Sequence, residues 1–259
     1  MTDLDFDDPC LLFALGRESK SFLREFRPTQ RFPGAPCWAR FCGPAWLSVL
    51  VLETGVGAAR TERVLKWLFD TPKLGVVPYR PKLVLSAGFA GSLNADYRVG
   101  DVILASEVID ENGHGVQTTW PERLPEGEWR PPLHRGRIVT VSQVAATPDQ
   151  KRVLADKHGA IAVDMESATV ARWCAEHRMP FTTVRAISDD LDMPLSPHLL
   201  SLLRDGRVDP LWLAGSLLIR PRMIGELWRL ARQTRYAAEQ LGKALGELLT
   251  LTLPYGQQL

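Results

Sequence analysis

Three apolar runs in this chain end in acids. Ala160–Val163 leads straight into Asp164, Met165 and Glu166, Phe181–Ser188 leads into Asp189, Asp190 and Asp192, and Glu18 follows the run Cys10–Leu15. Burying an unpaired carboxylate costs several kcal/mol, so an acid at the end of a core strand needs a partner or a reaction to serve. Helix capping is the simplest reading of any one of them, because a carboxylate at a helix N-terminus is favoured by about 0.3–1 kcal/mol. Taken together, the three sites let side chains from separate strand ends converge on one pocket. No His or Cys joins them, so the set does not read as a metal site. Glycines stand at two further strand ends, Gly55 with Gly57 and Gly88 with Gly91, where they let backbone approach a ligand closely or take positive φ, although most glycines in such turns serve only the turn. The stretch GVGAAR lacks the third glycine and the acidic partner of a dinucleotide fingerprint, which argues against NAD.

These residues need elements to hold them, and the apolar pattern supplies candidates. Strands are expected at 10–15, in PKLVLSAG, GDVILAS and GRIVTVSQV, and at 160–164 and 180–188. CWARF and AWLSVLVLE flank Gly43-Pro44 as a hairpin, and residues 111–136 form an irregular excursion. Helices are expected at 17–26, in TGVGAARTERVLKWLFD and over 166–178, with TPDQ at 147–150 supplying a capping box for another. Strand and helix alternate throughout, which predicts an α/β fold: three α/β/α layers around a central, mixed but largely parallel twisted sheet. In such sheets ligands bind beyond the carboxyl ends of the strands, where the acids and glycines lie. The α/β domain is expected over 1–192, with 193–259 a helical extension packed on it: two helices broken at Arg220-Pro221. In the second, Ile224, Leu227, Ala231, Ala238, Leu241, Leu245 and Leu248 make one apolar face. That face suits packing on the domain or a subunit interface; a surface for an apolar substrate or a membrane is the other reading.

Composition narrows the function classes. Among 259 residues, 31 basic and 30 acidic side chains nearly cancel, so nothing draws the chain to nucleic acid or acidic lipid in bulk. The acidic start MTDLDFDD argues against a targeting peptide, and no apolar run reaches the roughly 18–20 residues of a membrane span. Cys10, Cys37, Cys42 and Cys174 show neither metal nor disulfide spacing, which fits reduced thiols in a cytoplasmic protein.

The blocks ETGVGAAR, LSAGFAGSL, VGDVILAS, AVDMESATVA and VRAISDDLD resemble, in order and spacing, those of the nucleoside phosphorylase and methylthioadenosine/S-adenosylhomocysteine nucleosidase superfamily. The tail, DGRVDPLWLAGSLLIRPRMIGELWRLAR, is similar to the hopanoid-associated phosphorylase branch, thought to remove adenine from adenosylhopane. The superfamily resemblance implies an enzyme that cleaves the N-glycosidic bond of a purine nucleoside, with a 5′-substituted adenine nucleoside implied by the branch. By that resemblance Glu166 accepts hydrogen bonds from the ribose 2′- and 3′-hydroxyls, Met165 walls the ribose, and Asp164 is structural. Asp189 protonates N7 of the departing purine with a pKa raised by burial and by Glu166, Ser188 holds it, and Arg185 supports the site by pairing with an acid. Glu18 activates water. Gly88, Phe89 and Gly91 line the nucleophile side, and Val144 takes the place of the aromatic that stacks on the base.

The nucleophile divides the superfamily. Phosphorolytic members carry an arginine and a serine that bind phosphate where this chain has Ser86 and Phe89, which favours water; Arg17, beside Glu18, is the candidate phosphate contact if the alternative holds. Phosphorolysis, with inorganic phosphate as co-substrate, and a nucleoside-binding protein without turnover are the competing readings. No cofactor is called for, and the resemblance implies a homo-oligomer, a dimer or larger. Weak membrane-surface contact through the C-terminal helices accompanies the minority reading of the tail.

Overall fold

The computed structural model describes residues 9–44, 47–70, 73–74, 77–119, 129–194 and 222–252. Its centre is a ten-stranded sheet built on β1 (Cys10–Phe13), flanked by β4 (Val49–Glu53) and β7 (Val84–Ser92), all parallel. Beyond β4 lie β3 (Trp38–Cys42) and the exposed edge strand β2 (Pro28–Arg31), both antiparallel. Beyond β7 come β12 (Phe181–Asp189), then β8 (Val102–Asp110), β10 (Leu133–Thr140) and β11 (Ala162–Asp164), with short β9 (Gly115–Gln117) on β8. β5 (Lys73–Leu74) and β6 (Val77–Pro78) form a separate small hairpin. The helices are α1 (Gly16–Glu25), α2 (Ala58–Phe69), α3 (Pro148–His158), α4 (Ser167–Glu176) and α5 (Arg222–Thr252).

Parallel strands covered on both faces read as continuous apolar runs, and β1 shows why. Cys10 and Leu12 face Leu65 of α2 and Val170 and Cys174 of α4, whereas Leu11 and Phe13 face Phe22 of α1 and Leu241 and Leu245 of α5. The result is the expected α/β/α layering. The sheet, however, does not stay open. β7 pairs along most of its length with β12, yet its last two residues, Gly91 and Ser92, pair antiparallel with Val163 and Ala162 of β11. That second pairing closes β7, β12, β8, β10 and β11 into a ring. Gly88, Ala90 and Gly91 carry almost no side chain, which lets β7 bend enough to serve two neighbours.

Several local details position the site. Thr147 caps α3: its Oγ1 accepts from Gln150 N at 3.2 Å, while Gln150 Oε1 accepts from Thr147 N at 3.2 Å. The β10 strand ends at Thr140, so Val141–Val144 of the expected strand is irregular chain. In the tail, the helix 222–252 begins directly after Pro221 and runs unbroken for 31 residues. Its second half is buried against the domain through Ala237, Ala238, Leu241, Leu245 and Leu248, and Gly242 lets it touch α1: a Cβ there would stand 2.9 Å from Phe22 N. The other expected tail helix, PLWLAGSLLI with Trp212, lies outside the described residues, as does much of the 111–136 excursion. No helix among the described residues is long and apolar enough to cross a membrane.

Candidate active site

Glu18 enters from the first turn of α1 and is buried. Its Oε2 accepts from Leu15 N at 2.8 Å, covering the helix end, and its Oε1 accepts from Phe89 N on β7 at 3.1 Å. Gly88 makes this approach possible, because a Cβ there would sit 3.0 Å from Glu18 Oε1. Burial pushes the Glu18 carboxyl above its ordinary value, against the lowering pull of the Leu15 N–H and the Arg185 charge. Arg17, about 100° further round the helix, is exposed and lines a groove between α1 and α5 with Lys20, Arg24 and Arg235. Arg17 thus lies along that groove and not beside Glu18 in this structure.

Capping is settled differently for the two acids of the Asp-Met-Glu segment. Asp164 does the structural work at α4, with Oδ1 accepting from Ser167 N at 3.3 Å and from Thr140 Oγ1 at 2.6 Å. Its Oδ2 accepts from Ser167 Oγ and from the buried Arg185 Nε at 2.7 Å. Glu166, at the helix end itself, makes no cap; its Oε1 instead accepts from Gly57 N at 2.8 Å. Gly57 holds φ at +94°, a conformation that favours glycine, and so turns its N–H toward Glu166. Burial first, then the Asp164 charge, push the Glu166 carboxyl up to about 7, with Glu18 adding to the rise and the Gly57 N–H and Arg185 opposing it.

Glu18 and Glu166 share one narrow cavity with Ser86, Phe89 and Arg185, about 10 Å³ in volume, which is close to the room one water needs. Arg185 is 2% exposed; besides Asp164 it donates from Nη2 to Ser86 Oγ at 2.9 Å and Ser167 Oγ at 2.8 Å. Its Nη1 would lie 3.4 Å from a Cβ on Gly88, beside Glu18. This guanidinium, held by an acid yet facing the same space as two others, was assigned support from sequence; its place in the cavity wall was not foreseen.

Asp189 reaches the site by a β-bulge. Along β12, Ile187 pairs with Ala90 but Asp189, not Ser188, pairs with Gly91. The extra residue re-aims the Asp189 side chain toward Gly91, where a Cβ would come within 2.8 Å of Oδ2. Ser188 Oγ donates to Asp189 Oδ1 at 2.8 Å, and Lys151 Nζ donates to Oδ2 at 2.6 Å. The sequence led to an expectation of burial and Glu166 beside this acid and not of the lysine, since one cation in a polar helix start reads as solvated. The neighbouring acids are engaged elsewhere: Asp190 Oδ1 accepts from Val99 N at 2.9 Å, and Asp192 pairs with Arg152. Met165 is half-buried beside Glu166, and Val144, 40% exposed, lies on the segment leading into α3. Gly88, Phe89 and Gly91 thus set Glu18 and Asp189 along one strand, three residues apart, with Glu166 facing the Glu18 end.

Comparisons with known proteins agree with this architecture. A family model described as the phosphorylase superfamily matches residues 41–129 and 121–199. The 5′-methylthioadenosine/S-adenosylhomocysteine nucleosidase of Bacillus thuringiensis (strain Al Hakam) is 25% identical over 163 residues, covering 54% of this chain and 68% of that protein. Among solved structures, the Helicobacter pylori 5′-methylthioadenosine/S-adenosylhomocysteine nucleosidase superposes with a TM-score of 0.67 at 17% identity, over 95% of this chain and 99% of that one. Futalosine hydrolase of Helicobacter pylori strain 26695 gives 0.68 at 16% identity, over 95% and 98%. These last two likenesses speak to the fold, the ring-closed sheet and its layers, while the family model spans the strands and helices that carry Glu166, Lys151 and Asp189. The chain belongs to the phosphorylase superfamily.

Proposed function

We propose that this protein hydrolyses the N-glycosidic bond of a purine nucleoside, an adenine nucleoside substituted at the 5′ position. The observation that carries the reading is the cavity shared by Glu18 and Glu166, with room for about one water and with Asp189, at the end of β12, opposite Gly91 of β7 three residues beyond Gly88. The superfamily membership and the nucleosidases among the relatives support it, since both substrates named for the Bacillus protein are adenine nucleosides with sulfur at the 5′ carbon.

The chemistry follows from the placement. Glu166 accepts from the ribose 2′- and 3′-hydroxyls, and its charge stabilises the positive sugar that develops as the bond breaks. The Asp189 carboxyl gives its proton to N7 while the C1′–N9 electron pair moves onto the purine. A water oxygen bonds to C1′ and its proton passes to Glu18, whose raised pKa makes it the better base. Arg185 fixes Asp164 and faces the attacking water. Water rather than phosphate is favoured by the size of the cavity and by the position of Arg17 outside it.

The test is a product assay with 5′-substituted adenosines, run with and without phosphate. Free adenine and free ribose sugar in the absence of phosphate support hydrolysis. A ribose 1-phosphate product formed only with phosphate would replace it by phosphorolysis, and tight nucleoside binding without product would mark a binding protein. The lipid-like 5′ group implied by the hopanoid-associated branch is one member of the substrate panel.

A further inference from the structure

We propose that Lys151 is a positioning residue for protonation of the leaving base, holding Asp189 in place and stabilising the carboxylate that remains once N7 has taken the proton. The inference rests on the glycosidase reading above and assigns a second residue to its acid.

The position of Lys151 is costly on two counts. It is the fourth residue of α3, near the helix end that disfavours cations, and its side chain is 0% exposed. Burying an ammonium carries a penalty of several kcal/mol unless a partner and further hydrogen bonds meet it. Here Nζ donates to Asp189 Oδ2 at 2.6 Å and to the Asp190 carbonyl oxygen at 2.6 Å. The other charged groups nearby have partners of their own: the Asp190 carboxylate is bonded to Val99 N, and Asp192 pairs with Arg152. The ammonium is thus directed at one carboxyl group, the one the bulge turns toward Gly91. With Ser188 on Oδ1, both oxygens of Asp189 are held.

Chemically, Lys151 keeps its own protons. The proton that reaches N7 leaves the Asp189 carboxyl, the C1′–N9 pair departs with the purine, and the new carboxylate faces an ammonium already in contact. The pair is already formed in the resting structure, so the ammonium favours the carboxylate before transfer as well as after it; Asp189 takes up a proton as the purine binds and gives it to N7 as the bond breaks, and the cation needs no reorganisation. Turnover is completed when solvent returns a proton to Asp189 and removes the one gained by Glu18.

The experiment compares leaving groups. Wild-type protein, Lys151→Met and Lys151→Arg are assayed with methylthioadenosine, whose base needs protonation, and with 4-nitrophenyl β-D-ribofuranoside, whose phenolate leaves without it. The expected result is a loss of about 10²-fold or more in kcat on methylthioadenosine for Lys151→Met. KM should stay within about threefold, and the loss on the nitrophenyl riboside should be under about tenfold, with Lys151→Arg regaining part of the purine activity. Equal losses on both substrates, or a rise in KM alone, would reduce Lys151 to a structural residue and overturn the inference. Lys151→Gln, which keeps a donor and loses the charge, carries the same comparison if the methionine variant does not fold. Wild-type protein that cleaves neither substrate would overturn the glycosidase reading itself, and this inference with it.

Discussion

Glu166 is pulled two ways: the protein pushes its carboxyl up to about 7, whereas the ribose recognition proposed for it needs it ionised. Two expectations follow from the sign. The kcat/KM of the free enzyme should rise with pH through about 7, as measured in a pH–rate profile. Stability should move the other way. Below its ordinary value of 4.5 the group is protonated folded or unfolded; between there and about 7 only the unfolded chain releases the proton, so stability falls as pH rises. Urea unfolding of the wild type should show this slope, up to about 1.4 kcal/mol per pH unit, and Glu166→Gln should flatten it. The same variant should slow cleavage of ribonucleosides more than of 2′-deoxynucleosides, and equal losses would contradict the diol assignment. Glu18→Gln should cost about 10²–10⁴ in kcat with the fold retained, read by adenine release and thermal unfolding. At this scale the acids were legible because carboxylates ending apolar runs stand out. Which of Asp164 and Glu166 caps the helix was not, since that depends on where Gly57 and Arg185 arrive from distant segments. Lys151 was hidden because one lysine in a polar helix start looks solvated until the helix is docked.

Among the elements, β12 and α5 decide most. The β12 bulge sets Asp189 against Gly91, so Gly91→Ala should displace the carboxyl from Lys151 and lower turnover with the fold intact by circular dichroism. Helix α5 leans on α1 through Gly242, where an added methyl meets the Phe22 backbone nitrogen and Ser21 Cβ, each at 2.9 Å. Gly242→Ala should therefore destabilise the fold by about 1–3 kcal/mol, seen as a lower Tm. Most strands and helices were readable from continuous apolar runs and from the TPDQ cap. The short polar strands β2 and β9 were not, because edge strands carry little apolar signal. Nor could a register shift of one residue be read from composition.

For the whole molecule, the layered sheet was legible and its closure into a ring was not, since that rests on two residue pairs between β7 and β11. Closure matters for the chemistry: it brings Val163, three residues before Glu166, alongside Gly91, where Asp189 also lies. Three acids far apart along the chain thereby gather around one strand, and the glycosidic cleavage proposed above rests on that placement. The most direct test is incubation with methylthioadenosine in phosphate-free buffer made with ¹⁸O-labelled water. Free adenine and a sugar carrying one labelled oxygen at C1′ are the expected products, lost together in Asp189→Asn; intact nucleoside in the wild-type reaction, or base release unaffected by that substitution, would contradict the proposed hydrolysis.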